Sequence, residues 1–575
     1  MKKIAIISVV LTLLLSSCEE YLSYTEQSFF DDPEYIFNNF DRTQKYLTHM
    51  YSRLPVDYNS VGGAMRSAAC DEAEYVKQSS SIQDFNNGQW ASTNALDNKW
   101  AHYYQGIRSA NFFLQEIEGR TYEDYQYNNT YEDDMARFHY YPYEARFLRA
   151  FFYFELAKRY GDIPLVTTVN DDVEEMNNIE KTPFHDIITF IVDECDAVKD
   201  SLPVSWSGKV FQETGRVTQG AVYALKSRVL LYAASPLHNP DKDIEKWKAA
   251  AIAANEFFNN ENLNYSFAEE YYNSSNMAKG VFNNIYSSEL IFECRQGKSN
   301  GFEKSNFPKG FDGANGNSTC PSQNLVDAYR TSDGFNVILN ENGNWTAPGS
   351  SVFDPEKPYQ NRDPRLLQTV MVNGDSLNDI RVETFVGGAH GAPNPDVSPT
   401  AYYLKKYVRQ DLKIAGSDAG GKDHAWVIFR LTEMYLNLAE AMNEAYGPNE
   451  IPPGFSVNAT LALNVVITRP AVGMPGIFGL SKGKLRSEII HERRVELAFE
   501  DHRFWDIRRW RLLDSDNPDK ISEDLYGIEI TNTGGTLSYS EKLVDDRIWD
   551  DKMYLYPFPY METVINSNLG QNTGW

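Results

Sequence analysis

Apolar residues recur at three- and four-residue steps in two blocks of the chain, one toward each end, and lose that rhythm in between. In the first block, Ile36, Phe40, Leu47 and Met50 predict helix over about residues 33–54, and Gly62-Gly63 breaks the pattern. Trp100, Tyr103, Tyr104, Ile107, Ala110, Leu114 and Ile117 predict a second helix. The Tyr/Asp/Asn-rich residues 121–134 predict an exposed loop. Residues 144–160 are apolar almost all round, which predicts a helix buried among others, with Gly161 as C-cap and Pro164 barring continuation. Further helices are predicted from Thr182-Pro183 (Thr as N-cap, Pro at the first helical position), over 218–234 and over 244–258. Residues 259–418 are rich in Gly, Asn, Ser and Pro and predict long loops with small β elements, at 290–294 and 367–372. Helix is predicted again from Trp426, near Leu461 and over 485–500, followed by an extended piece at 554–559. The class is mainly α, with helix pairs supporting a loop-rich face. No clean 34-residue repeat is present, so periodicity alone does not show tetratricopeptide-like stacking.

The opening residues follow another pattern. Lys2 and Lys3 precede a 12-residue apolar run, Ile4 to Leu15. It is shorter than the roughly 20 residues a membrane span requires and matches the core of an export signal. The run ends in Leu15-Ser16-Ser17-Cys18, followed by Glu19 and Glu20. That arrangement looks like a bacterial lipobox, which implies cleavage before Cys18, lipidation of Cys18 and a tether leading into the first helix. A soluble secreted protein with a chance cysteine is the alternative. The expected division is a signal at 1–17, an N-terminal helical region at 18–258 and a C-terminal region at 259–575 that forms one body with it. No later apolar run has the length of a membrane span.

Composition narrows the partners. The chain has 575 residues, with 54 basic and 80 acidic side chains and a formal net charge of -26. That field repels phosphate backbones and argues against nucleic acid as a partner. Aromatics reach 14%, including 36 Tyr and 10 Trp, residues suited to surfaces that are partly apolar and partly wet. Cys70, Cys195, Cys294 and Cys320 have no C-x-x-C spacing, so the sequence suggests neither a zinc knuckle nor a redox pair and leaves disulfides open. Catalytic motifs fail one by one. His491-Glu492 starts a zinc-protease pattern, but Val495 replaces the second histidine. Gly297-Lys298-Ser299 ends like a P-loop, but Phe292 stands where its first glycine belongs. No G-x-S-x-G elbow occurs. No catalytic residue, metal ligand or cofactor is therefore expected. Glu492, Glu496 and Glu500 are spaced along one predicted helix face beside Arg493 and Arg494, which predicts an ion-pair network extended by Arg503, Asp506, Arg508 and Arg509, with Trp505 and Trp510 as packing residues.

Several stretches, in order, resemble the SusD/RagB family of Bacteroidetes outer-membrane lipoproteins. They are the Trp/Tyr pattern at 100–114, EARFLRAFFYFELAKRYGDIPL at 144–165, GRVTQGAVYALKSRVLLYAASPLHN at 215–239, YQNRDPRL at 359–366, RLTEMYLNLAEAMNE at 430–444, IIHERRVELAFEDHRFWDIRRW at 489–510 and the closing QNTGW. Thr573 replaces the family's usual proline, and 464–473 carries fewer basic residues than is usual. The resemblance implies a mostly helical fold with tetratricopeptide-like pairs. It also implies a cell-surface lipoprotein of the outer membrane, held by lipid on Cys18. Such a protein would bind an oligosaccharide, polysaccharide or other nutrient and act as hinged lid to a SusC-like TonB-dependent transporter, without covalent chemistry.

Sugars present apolar C–H faces and hydroxyl edges, so a binding surface needs aromatic platforms and polar side chains. The loops at 62–94 and 298–345 contain both. They make Trp90, Tyr75, Phe311 and Trp345 candidates for stacking and Arg66, Asp71 and Asn94 candidates for polar contacts, against the alternative that each aromatic packs beneath its own loop. The competing functions are a lipid-anchored glycoside hydrolase, whose carboxylate pair is defined only in space, and a structural or adhesive surface protein. Replacing Cys18 by Ala is expected to move the protein from the membrane fraction to the soluble fraction and abolish surface labelling. Unchanged fractionation would rule out the lipid anchor.

Overall fold

A computed structural model describes residues 32–206, 213–271, 280–282, 284–339 and 344–575. The signal and Cys18 lie outside them. The helices of two turns or more are α1 (Phe40–Tyr51), α2 (Trp100–Ile117), α3 (Tyr131–Phe138), α4 (Tyr141–Tyr160), α5 (Phe184–Val198), α6 (Gln219–Ala234), α7 (Ile244–Asn259), α8 (Leu431–Tyr446), α9 (Ala459–Ile467), α10 (Lys482–Glu496) and α11 (Arg503–Arg509). The longer strands are β1 (Leu290–Ser299), β2 (Lys422–Arg430), β3 (Leu525–Thr533) and β4 (Thr536–Asp545). No described helix is long and apolar enough to cross a membrane.

The helices form a continuous stack. α2 packs on α4, α4 on α5, α5 on α6, α6 on α7, α7 on α8, and α8 on both α9 and α10. This is the tetratricopeptide-like arrangement of helix pairs, each burying its stripe against the next. α4 is enclosed between α2 and α5. Its side chains from Phe147 to Tyr160 are all buried, which explains why the sequence there lacks a polar face. Gly106 lets α2 approach it closely, since a Cβ there would sit 2.8 Å from the Phe152 ring. Gly161 ends α4 at φ +74°, with its N–H on the Ala157 carbonyl, as a C-cap should.

α7 and α8 are neighbours in the stack but distant in sequence. The chain between them leaves along β1 and returns along β2, which pair antiparallel with Leu290 opposite Arg430 and Cys294 opposite Trp426. The loop-rich region is thus an excursion closed at its neck by one ladder. The ladder also overturns the helix expected from Trp426. Ala425 to Phe429 is a short apolar run that periodicity cannot assign, and pairing with β1 makes it strand before α8 begins.

Other local expectations shift for similar reasons. Residues 131–138 form helix α3 rather than loop. Glu132, Asp133 and Asp134 occupy its first turn, where the helix dipole favours acids, and Tyr131, Met135 and Phe138 pack on the core. α5 starts one residue late, at Phe184, and its N–H is capped by Asp162 Oδ1 at 2.7 Å, a partner 22 residues away, rather than by Thr182. Residues 366–369 are a helical turn, leaving only Val370–Met371 as strand. Cys70, Cys195, Cys294 and Cys320 are free thiols. The closing QNTGW is a clasp. Gln571 bonds both backbone groups of Phe558, Asn572 donates to the Tyr160 and Tyr556 carbonyls, and Trp575 packs on Trp90.

The ion-pair network predicted from α10 is present and buried, except that Arg508, predicted to extend it, makes no ion pair among the described residues and instead donates to the Phe504 carbonyl. Glu496 receives Arg365 and Arg430 at 2.8 Å each and Arg469 at 2.6 Å, with none of its side chain exposed. Arg365 also pairs with Asp363 and Glu492, and Arg430 with Glu289 and Glu500. Glu500 is not on the helix face. α10 ends at Glu496, and Phe499 at φ +62° turns the chain so that Glu500 re-enters the cluster. A second group joins Arg493 and Arg509 to Asp506, with Glu440 against Arg509, and a third joins Arg494 and Arg503 to Asp71. Burial by itself raises the Glu496 carboxyl, but Arg469, Arg430 and Arg365 outweigh it and hold it well below the carboxylate range. Glu72, beside the third group, makes no ion pair among the described residues, and burial outweighs the Ser67 hydrogen bond and Arg503 and pushes its carboxyl up to about 8.

Two outcomes are expected. Glu496→Gln should cost about 3–5 kcal/mol in urea unfolding, because it strips a shared counter-charge from buried arginines. For Glu72, the folded pKa lies above the unfolded value, so folding takes up a proton and stability falls as pH rises from 4.5 to about 8. Glu72→Gln should flatten that part of the Tm-against-pH curve, and an unchanged slope would show that Glu72 is ionised in the fold.

Candidate functional site

A cleft of about 650 Å3 opens beside the stack. One wall is α1 and the chain that follows it, through Gln44, Thr48, Tyr51 and Asp57. The start of α2 contributes Lys99 and His102, residues 213–216 contribute Glu213 and Arg216, β1 contributes Glu293 to Gln296, and Arg66, Arg159 and Asp501 also line it. The stack therefore holds one side rigidly, and the neck of the excursion supplies the other.

Most charges in the cleft are already matched. Arg66 bridges Asp97 at 2.8 Å and Asp501, and Arg159 reaches the same Asp97 oxygen at 3.2 Å. Arg216 joins Glu144 and Glu213 and stacks 4.0 Å over Trp206. Arg295 pairs with Glu293 at 3.1 Å and donates to the Ile285 carbonyl at 2.9 Å. Tyr51 donates to Glu144 and accepts the Val217 N–H at 3.1 Å. His102 Nε2 lies 3.1 Å from the Arg53 carbonyl, which requires that nitrogen to carry the proton, and burial lowers the ring's pKa so that it is neutral at pH 7. Burial, with the Asp501 charge adding to it, lifts the Asp57 carboxyl to about 7 against the pull of Arg66. Asp57 accepts the Arg66 backbone N–H at 2.7 Å and the Ser60 hydroxyl at 2.9 Å. Lys99 makes no ion pair among the described residues.

Tyr286 stands beside Arg295, one of the residues that line the cleft. The residue is 73% exposed, and its ring lies 5.2 Å from the Arg295 guanidinium. The cleft thus combines an open aromatic face with directional donors and acceptors and little uncompensated charge. That is the chemistry of a site for a neutral polyhydroxyl ligand. The described residues contain no cluster of His, Cys, Asp and Glu suited to a metal.

The residues expected from sequence are placed differently. Trp90 is buried, edge-on to Phe85 at 4.7 Å and to Tyr556 and Trp575 at 4.9 Å. Tyr75 lies buried in a three-residue strand paired with Thr319–Pro321. Phe311 packs 4.9 Å from His390, and Trp345 packs near Tyr359 and Tyr539. None of these four rings offers a face to a ligand. Short 3-10 turns and two-strand ladders bind these loops down onto the stack, so their aromatics become core. Asp71 is consumed by Arg494 and Arg503. Asn94 is exposed but bonds Asp84 and the Gln89 carbonyl within its own loop. Of the seven, only Arg66 reaches the cleft, as an ion-paired floor residue. Tyr51, Lys99, His102, Arg216, Tyr286 and Arg295 were missed. They lie on separate elements, and no sequence spacing links them. Tyr286, in a polar stretch directly before a strand, is the one that an exposed-aromatic criterion could have found.

Comparison with known proteins agrees with the fold. A SusD-like protein of Formosa agariphila is 24% identical over 447 residues, covering 75% of this chain and 72% of its own. A crystal structure of a SusD-like protein from Bacteroides fragilis superposes with a TM-score of 0.75 at 26% identity, covering 96% of this chain and 99% of the other. A SusD-like carbohydrate binding protein from the same species superposes at 0.70 with 22% identity, covering 93% and 99%. The family model described as starch-binding associating with outer membrane matches residues 27–231. The model described as the SusD family matches residues 255–575, more than half of the sequence, and the chain belongs to that family.

Proposed function

We propose that this protein is a cell-surface lipoprotein that captures an oligosaccharide in the cleft beside Tyr286 and delivers it to a SusC-like TonB-dependent transporter. It binds without catalysis. The observation that carries the proposal is the cleft itself, where a mostly exposed tyrosine packs beside Arg295, one of a set of lining charges that largely neutralise one another. The descriptions of its relatives as carbohydrate binding and as starch-binding with outer-membrane association support it. The lipobox-like Cys18 supports the location.

The mode of recognition follows from the geometry. The exposed ring would cover the C–H face of one sugar unit, a contact worth roughly 0.5–1.5 kcal/mol beyond area burial when aromatic stacking is the guide. Lys99, Arg295 and Gln296 would donate to hydroxyls, and Asp57 and Glu293 would accept from them.

Affinity electrophoresis against a panel of neutral and acidic polysaccharides tests this. At least one neutral glycan is expected to retard the wild type, and Tyr286→Ala or Arg295→Ala should reduce the retardation about tenfold, the equivalent of roughly 1.4 kcal/mol. Equal retardation of wild type and both variants would exclude this cleft. Co-purification with a large β-barrel tests the partner.

A further inference from the structure

We infer that a small cavity beside α11 binds one halide-sized monovalent anion, chloride in physiological media, as the counter-charge of Arg508. α11 carries three arginines, and two are conventionally matched: Arg503 by Asp71, and Arg509 by Asp506 and Glu440. Arg508 is equally buried, at 4% exposure, yet has no carboxylate within ion-pair reach among the described residues. Its Nη1 donates to the Phe504 carbonyl at 3.0 Å, and its guanidinium lies 3.4 Å above the Phe504 ring and 5.3 Å from that of Trp549.

Ring faces attract a cation but do not replace a counter-ion. A buried lysine or histidine could shed its proton, but an arginine cannot. Burial lowers Arg508 only to about 10, so it stays charged at neutral pH. An uncompensated buried cation is costly, and something must offset it.

Arg508 lines a cavity of about 40 Å3. By the room a single water needs, that volume admits one monatomic ion or a water or two. Among the lining residues, the buried side-chain atoms left without a partner are Arg508 Nε and Trp549 Nε1. Both are N–H donors. A halide is an acceptor only and suits such donors, whereas a water brings two hydrogens that need acceptors of their own. The acidic groups on the cavity do not neutralise Arg508. Asp71 is held by Arg494 and Arg503, and Glu523 pairs with Lys520 at 3.5 Å. Arg547, a second cation on the lining, is matched by Glu74 and Asp545, so Arg508 alone seeks an anion there. This site is separate from the glycan cleft and stands whether or not that cleft binds sugar.

The test is anomalous diffraction from the full mature protein crystallised in sodium bromide. An anomalous peak within hydrogen-bond distance of Arg508 Nε is expected. An ordered water there without anomalous signal would overturn the site. In solution, Tm should rise with chloride concentration relative to sodium gluconate at equal ionic strength, and Arg508→Met should lose that difference. Equal wild-type Tm values in the two salts would count against it. Should Arg508→Met fail to fold, the wild-type bromide map decides alone.

Discussion

The shared carboxylate of Glu496 is the constraint on which the rest of the molecule is arranged. Three arginines from three distant parts of the chain meet it: Arg365 from the excursion, Arg430 from the junction of β2 with α8, and Arg469 from the turn after α9. A buried carboxylate with one partner is a liability, and with three well-placed donors it becomes a register mark. Any fold that misplaced the excursion by one turn would part Arg365 from Glu492 and Glu496 and leave Glu496 one donor short. The network therefore gives specificity as much as stability, and it ties the irregular half of the chain to the regular half.

The family's recurrent stretches acquire physical meaning in this light. In YQNRDPRL, Arg365 enters the network, while Arg362 donates to the Val326, Tyr329 and Pro358 carbonyls and so caps a short helix. In the α10–α11 stretch, charges alternate between three separate clusters. In GRVTQGAVYALKSRVLLYAASPLHN, Arg216 closes onto Glu144 and Arg228 onto Glu433. The region with fewer basic residues than usual still keeps Arg469, the one that Glu496 needs. These segments are scaffold. Binding in this protein is left to what the scaffold brings near the neck of the excursion, where β1 faces α1 and α2 across an open cleft.

The division between scaffold and site explains what could be read in advance. Helices α2, α4, α6 and α7 were legible nearly to the residue, because an 18-residue stripe or a run such as RFLRAFFYFELA has one favourable packing solution. The ion-pair role of Glu492, Glu496, Arg493 and Arg503 was legible too, since so many charges beside apolar residues can only be buried in pairs. Local rules failed where a partner was remote: Asp162 capping α5, β1 converting Trp426 to strand, Phe499 redirecting Glu500. The same limit undid the stacking candidates. Trp90 and Trp345 sit in Asn- and Ser-rich stretches that look exposed, but Tyr556, Trp575 and Tyr539 arrive from the far end of the chain and cover them.

By itself, the sequence determined the helical class, the positions of most helices, the net negative charge, the lipobox-like pattern and the resemblance to the family. Each of these follows from short-range periodicity or from contiguous residues. Only the tertiary structure decided which aromatics face water, where the cleft opens, and that Arg508 lacks a counter-ion while its neighbours have theirs. Exposure and pairing are properties of space, and residues several hundred positions apart settle them.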